Sequence, residues 1–218
     1  MRAEHVIRAP QPSVDRASAS RVRQATAERV EALNAPLFHS LIERLQTAAG
    51  RVVVLDLGTA RTETVALFGQ FRCRLDIADL AEGIDALNAE SDPKALRDKT
   101  EALLPPKRRE PTDIVLCWDL LNYLRRPALA TLMESIAARG RQGMLAHCLV
   151  FYSTPHMPAR PGCYVPIDDS RLMNVASPQA PRNAPRYTPE DLGQCMPRYT
   201  VERARLLRNG MQEYLFRL

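Results

Sequence analysis

The sequence predicts an α/β fold: a three-layer αβα sandwich whose sheet is mostly parallel and carries a C-terminal antiparallel hairpin strand. Three observations carry this. Residues 51–58 (RVVVLDLG) form a continuous apolar run rich in β-branched side chains, the pattern of a strand covered on both faces, as parallel strands are. Strand-like and helix-like segments alternate from there to about residue 152, and such alternation implies crossover connections between parallel neighbours. Near the end, Asn209-Gly210 separates two strand-like runs, 199–207 and 211–218. Asn-Gly suits the left-handed turn of a tight hairpin.

Taken in order, residues 1–20 hold Pro10 and Pro12 with little periodicity and are expected to form a flexible arm. A helical pattern begins at Arg21, with Val22, Ala25, Arg29, Val30 and Leu33. A second follows Pro36, with Leu37, Leu41, Ile42, Leu45 and Ala48 on one face and Gly50 placed as a C-terminal cap. These N-terminal helices (21–50) precede the main domain, 51–218. After the first strand, residues 60–69 read as a helix burying Val65, Leu67 and Phe68. Residues 71–77 read as a second strand. Residues 80–104 read as helical, with Pro93 near the first position of a new helix. The stretch 103–111 (LLPPKRREP) is full of helix breakers.

The third clear strand is 113–118. Residues 127–139 give an amphipathic helix with Leu129, Leu132, Met133 and Ile136 on one side, and 143–152 the fourth strand. Residues 153–187 are rich in proline (Pro155, Pro158, Pro161, Pro166, Pro178, Pro181, Pro185) and show no period. So long a loop in a compact domain is usually functional. Thr188-Pro189-Glu190-Asp191 then starts a helix, with Thr as N-cap and Pro in the first turn.

Composition narrows the function classes. A chain of 218 residues suits one domain. The net charge of +5 is spread through the chain, and the nearest approach to a basic cluster is Lys107-Arg108-Arg109. A nucleic-acid partner is therefore not the first expectation. The histidines at 5, 39, 147 and 156 lack metal-ligand spacing, so no metal is expected. The five scattered cysteines suggest no disulfide framework. No apolar run is long enough to span a membrane, and the N-terminus lacks the apolar core of a secretory signal, so the expected location is cytoplasmic.

Open parallel sheets bind ligands beyond the carboxyl ends of their strands. Three such ends are visible. The first is Asp56-Leu57-Gly58-Thr59-Ala60, where Gly58 lets the backbone pass close to a ligand. The second offers Asp76 and Asp79, either of which could accept hydrogen bonds from ribose hydroxyls. The third is Trp118-Asp119, running on to Asn122-Tyr123. Each has a plainer reading as well. Asp56 could cap the 60–69 helix, Gly58 could make only a tight turn, and Trp118 could be core. Asp119 could be a solvated cap, and Tyr123 a packing residue. The 153–187 loop leaves the fourth strand on this same side and could cover a substrate as a lid. Tyr123, Tyr152, His156 and Arg160 are the candidate substrate contacts.

In this order and spacing the motifs resemble the class I S-adenosylmethionine (SAM)-dependent methyltransferases, from about Leu37 to Leu218. The resemblance implies a Rossmann-like fold and SAM as cofactor, held by Asp56, Gly58, Thr59, Ala60, Asp76, Asp79, Trp118 and Asp119. It implies methyl transfer by direct displacement, and it names no catalytic residue. The hairpin resembles that family's reversed last strand. Three departures stand out. Ala60 replaces the loop's second glycine, and Thr62 stands where a third often sits. No third strand is recognisable between 90 and 111. No Asn/Asp-Pro-Pro-Tyr motif follows the 113–118 strand, which favours a small-molecule acceptor over bases or protein amides. Two other classes stay open: an inactive relative that senses SAM or binds a partner, and a nucleotide-dependent oxidoreductase. The latter would rest on Gly58-x-Ala60-x-x-Glu63, a poor dinucleotide fingerprint.

Overall fold

The structure is a computed structural model that describes residues 29–176 and 179–218. The arm expected at 1–20 and the beginning of the helix expected from Arg21 lie outside the described residues. The rest of that expected helix is a strand, β1 (Arg29–Asn34). It pairs antiparallel with a distant segment, Leu33 facing Leu172 and Glu31 facing Asn174. Six residues with apolar positions at 30 and 33 are too few to tell a helical from an extended period, and the deciding hydrogen bonds come from far along the chain.

Helix α1 (Pro36–Thr47) follows, with Pro36 in its first turn and Leu37, Phe38, Leu41, Ile42 and Leu45 buried. It closes on Ala48 in an extended conformation, so Gly50 supplies no left-handed cap. Strand β2 (Val52–Asp56) is buried along its whole length. The next helix, α2 (Thr62–Phe68), buries Thr64 and Phe68. Val65, expected inside, is 51% exposed. The helix is two turns long, and the i, i+4 pair Thr64/Phe68 sets the face it presents.

Strand β3 (Cys73–Ile77) leads into a 3₁₀ turn at Leu80–Gly83, then α3 (Ile84–Ala89) and α4 (Pro93–Leu103). Asp92 caps α4 by accepting from the Ala95 N–H at 2.7 Å. Strand β4 (Thr112–Trp118), a 3₁₀ turn at Leu120–Tyr123, helix α5 (Arg126–Ala137) and the long β5 (Gly140–Phe151) complete the alternating part.

The segment 153–187, expected to be a long loop without regular period, contains four strands among its described residues. Short β6 (His156–Met157) pairs with β9 (Arg182–Asn183), while β7 (Cys163–Pro166) pairs with β8 (Arg171–Ala176). With β1 these last two make a three-stranded antiparallel sheet, β1-β8-β7. The segment is thus a flap braced by β1. Helix α6 (Pro189–Cys195) starts with a reciprocal capping box between Thr188 and Asp191. The hairpin β10 (Thr200–Leu206) and β11 (Met211–Arg217) turns at Gly210, whose φ of 82° is left-handed.

The main sheet has six strands in the order β10-β11-β5-β4-β2-β3. Strands β3, β2, β4 and β5 are mutually parallel, and β11 runs antiparallel to both β5 and β10. The reversed strand is therefore interior, and its hairpin partner forms the edge. At the other edge lies β3, because residues 90–111 supply a helix and no strand. Strand β2 is interior, which brings its carboxyl end between those of β3 and β4.

Candidate active site

Asp56 ends β2 and is 1% exposed. Its Oδ1 accepts from the Gly58 N–H at 2.8 Å and from the Trp118 indole N–H at 2.6 Å. Burial pushes this carboxyl up to about 6, against the lowering effect of those two donors; the nearby charge of Asp79 adds to the rise. Asp56 is no helix cap: α2 begins at Arg61 without a side-chain cap bond. Gly58 is required by packing. A Cβ there would lie 2.7 Å from Trp118 Nε1 and 2.8 Å from its Cδ1.

The two acids at the end of β3, Asp76 within it and Asp79 just beyond, take different roles. Asp76 pairs with Arg74 at 3.1 Å, both side chains being largely buried. Asp79 is exposed, stands in the left-handed region (φ 42°), and accepts from the Thr59 hydroxyl at 3.1 Å. Asp79 is thus the exposed carboxylate beside the loop, unpaired with any cation among the described residues. Ala60 is exposed beyond Thr59.

At the end of β4 the backbone turns sharply. Trp118 has φ 49°, and the β4–β5 register shifts just before it. A left-handed non-glycine costs on the order of 1–2 kcal/mol, and such strain persists where neighbours over-determine the residue. They do so here. The indole stacks on Tyr164 of the flap (centroids 5.7 Å apart, planes at 8°). It also meets Phe38 of α1 and His147 of β5 at 5.9 and 6.1 Å. Asp119 is as buried as Asp56 and accepts from the flap's Gly162 N–H at 3.0 and 3.2 Å. Burial pushes its carboxyl up to about 7, with Gly162 and Tyr164 pulling the other way. What remains between Gly58, Thr59 and Ala81 on one side and Trp118, Asp119 and Gly162 on the other is a cavity of about 40 Å³, room for a few waters.

Of the expected substrate contacts, only Tyr123 approaches this cluster, and its hydroxyl is engaged by backbone, lying 3.1 Å from Pro158 O and 2.8 Å from Arg160 O. Burial raises its pKa, with the charge of Asp119 adding to the rise. Tyr152 is 50% exposed beside the hairpin turn, bonded through its N–H to Gly210 O at 3.4 Å. His156 is exposed on β6. The Arg160 side chain is exposed, 3.8 Å from Glu82. Tyr152 follows β5, and Arg160 lies between β6 and β7; neither of these nor His156 lines the cavity beside Asp119.

Asn122, legible in the sequence at the β4 end but without a role, and Glu213 and His147, which no sequence motif ties to the site, help build it. Asn122 donates to Asp119 O at 2.7 Å and to Leu149 O at 2.9 Å and accepts from Phe151 N–H, tying the β4 turn to β5. Glu213, fully buried on β11, accepts from the Leu37 and Phe38 N–H groups at 3.0 and 2.8 Å. It also sits 2.8 Å from His147 Nε2. That pair anchors the start of α1 and so places Phe38 against Trp118. A charged residue inside an apolar terminal strand, and a histidine inside an apolar run, were the signals available for it.

No family model matches the chain, and no curated protein does. Among solved structures it is similar to the 1,6-didemethyltoxoflavin-N1-methyltransferase of Burkholderia thailandensis, crystallised with 1,6-didemethyltoxoflavin and S-adenosylhomocysteine. That likeness has 18% identity over 97% of this chain and 92% of that one, with a TM-score of 0.45. A SAM-dependent methyltransferase from Clostridium acetobutylicum shows 10% identity over 83% and 89% of the chains, with a TM-score of 0.47. The glycopeptide N-methyltransferase MtfA with SAM shows 13% over 83% and 92%, with a TM-score of 0.44.

Proposed function

We propose that the chain is a SAM-dependent methyltransferase acting on a small molecule, with 51–218 as its catalytic domain and 153–187 as its lid. The observation that carries this reading is the convergence of three strand ends on one cleft. They are the Gly58 loop after β2, the exposed Asp79 after β3 and the Trp118-Asp119 turn after β4, in a sheet whose interior β11 is reversed.

The residues suit the group. Asp79 and Thr59 offer acceptors for ribose hydroxyls, and Gly58 leaves the loop backbone uncovered by a side chain. Ala60, exposed, puts its methyl outside the packed cluster. The cavity of about 40 Å³ is smaller than a nucleoside, and the atoms that fill the rest belong to Pro161, Gly162 and Cys163 of the flap. Cofactor entry therefore entails withdrawal of that segment from Asp119.

Bound SAM supplies a methyl on a sulfonium together with its own leaving group, so displacement needs alignment more than acid–base help. Asp56 keeps the Gly58 loop and the indole in register through its two donors. Trp118, Tyr164 and Phe38 exclude water from the β4 end. Asp119, whose carboxyl is pushed up to about 7 by burial beneath the flap, would accept a hydrogen bond from an acceptor N–H or O–H in the place that the Gly162 N–H occupies. A cleft covered by a braced flap suits a small acceptor better than a duplex.

Calorimetry with SAM and with S-adenosylhomocysteine tests the reading. Saturable one-to-one binding is expected, about tenfold weaker in Asp79→Ala. Absence of heat with either ligand at millimolar concentration would remove it.

A further inference from the structure

The run Lys107-Arg108-Arg109, which plays no part in the cleft, lies in the loop between α4 and β4 and lines a second concavity of about 200 Å³. Its wall is strongly cationic. Arg74, Lys107, Arg108, Arg109 and Arg139 face it, against only Asp76 and Glu110. Both acids are already taken, Asp76 by Arg74 and Glu110 by Arg74 and Arg51. Lys107 lies 3.8 Å from Glu101. Arg108 and Arg109 have no ion pair among the described residues and are exposed.

A second observation points to a ligand here. The Arg139 side chain is only 9% exposed. Its terminal nitrogens donate to Glu101, Ser135 O and Pro105 O, but its Nε is buried with no partner. An orphaned buried donor on a cationic wall is a place where an anionic acceptor improves the account. The rim is stiff, because Pro105, Pro106 and Pro111 all line it. A proline-pinned loop loses little freedom when a ligand arrives.

We propose that this concavity binds the phosphate or diphosphate group of a small molecule. Arginine forks match phosphate oxygens in pairs, and the volume admits a diphosphate with part of its attached group. None of the lining residues belongs to the cavity between Gly58 and Asp119, so the proposal stands apart from the methyltransferase reading.

Titration calorimetry with inorganic pyrophosphate on the full chain is the test, in wild type, in Arg108→Gln/Arg109→Gln, and in Asp79→Ala. Both arginines are exposed, so the double variant should keep its fold, checked by an unchanged melting curve. The expected result is one-to-one binding that weakens with salt, drops by about tenfold or more in the double variant, and is unchanged in Asp79→Ala. No saturation at millimolar pyrophosphate, or equal affinity in the double variant, would overturn it. Tighter binding of a single-stranded oligonucleotide than of pyrophosphate, lost with the same arginines, would overturn it in favour of a nucleic-acid face. Tighter binding in Asp79→Ala, from removal of a repelling carboxylate, would place pyrophosphate in the cleft instead.

Discussion

Asp56 and Asp119 end neighbouring parallel strands and are equally buried, yet they are held in different ways. Asp56 receives one donor from its own loop and one from the adjacent β4 end. Asp119 receives its side-chain donor from the flap, at Gly162. The β2 end is thus built by the sheet itself, while the β4 end is completed by a separate small sheet, β1-β8-β7, folded over it. The first is rigid wherever the main sheet is intact. The second is only as firm as the flap's contacts.

The largest test of this difference is Tyr164→Ala. Removing the ring that stacks on Trp118 should cost about 3–5 kcal/mol, as for other buried aromatic truncations, read by urea denaturation. Because Trp118 is the only tryptophan, its emission should also shift to the red as the flap loosens. If the flap competes with the cofactor, SAM should bind tighter to this variant. Unchanged emission would mean that the indole is held by the sheet alone.

The pH dependence comes next. Burial raises both carboxyls above the ordinary aspartate value of 3.8, to about 6 for Asp56 and about 7 for Asp119. The folded state therefore holds these protons more tightly than the unfolded chain. Their contribution is full below about pH 4 and is lost as pH rises through those two values. In Asp119→Asn the upper part of that loss should vanish. Between about pH 4 and 8 the variant should gain on the order of 2–4 kcal/mol relative to wild type, measured as the difference between the two stability curves. A constant difference would show that Asp119 is solvated and the flap open.

Gly58→Val probes the sheet-built half. Its side chain would run into the indole, at a cost of about 1–3 kcal/mol, and SAM binding should be lost. Retention of wild-type stability would show that Trp118 is free to move aside. The smallest effect is expected at Tyr152→Ala. The ring is half exposed beside the hairpin turn, so stability should change by less than about 0.5 kcal/mol and SAM affinity not at all. A clear loss of methyl transfer in that variant would return Tyr152 to the substrate site.

Much of the frame was legible because it rests on local rules. The all-apolar β2, the proline-started helices α4 and α6, and the Asn209-Gly210 turn each carry their instructions within a few residues. So does the Gly58 loop, once β2 is known to be interior. The contacts of the candidate residues were not legible. Asp76 and Asp79 were indistinguishable until Arg74 was seen to engage the first. Trp118 proved to be both core and wall.

What local sequence determined by itself, then, is the alternating α/β order, the strand ends that face one cleft, and the reversed hairpin. Propensity, period and turn chemistry act over a few residues and need no partner. The tertiary structure alone decided that residues 29–34 are a strand, that 153–187 is a braced flap, and that Glu213 and His147 hold α1 over the site. Each of these depends on hydrogen bonds between segments far apart in the chain. A buried backbone or carboxylate must find its partners wherever the fold brings them, and no short window of sequence contains both ends of such a bond.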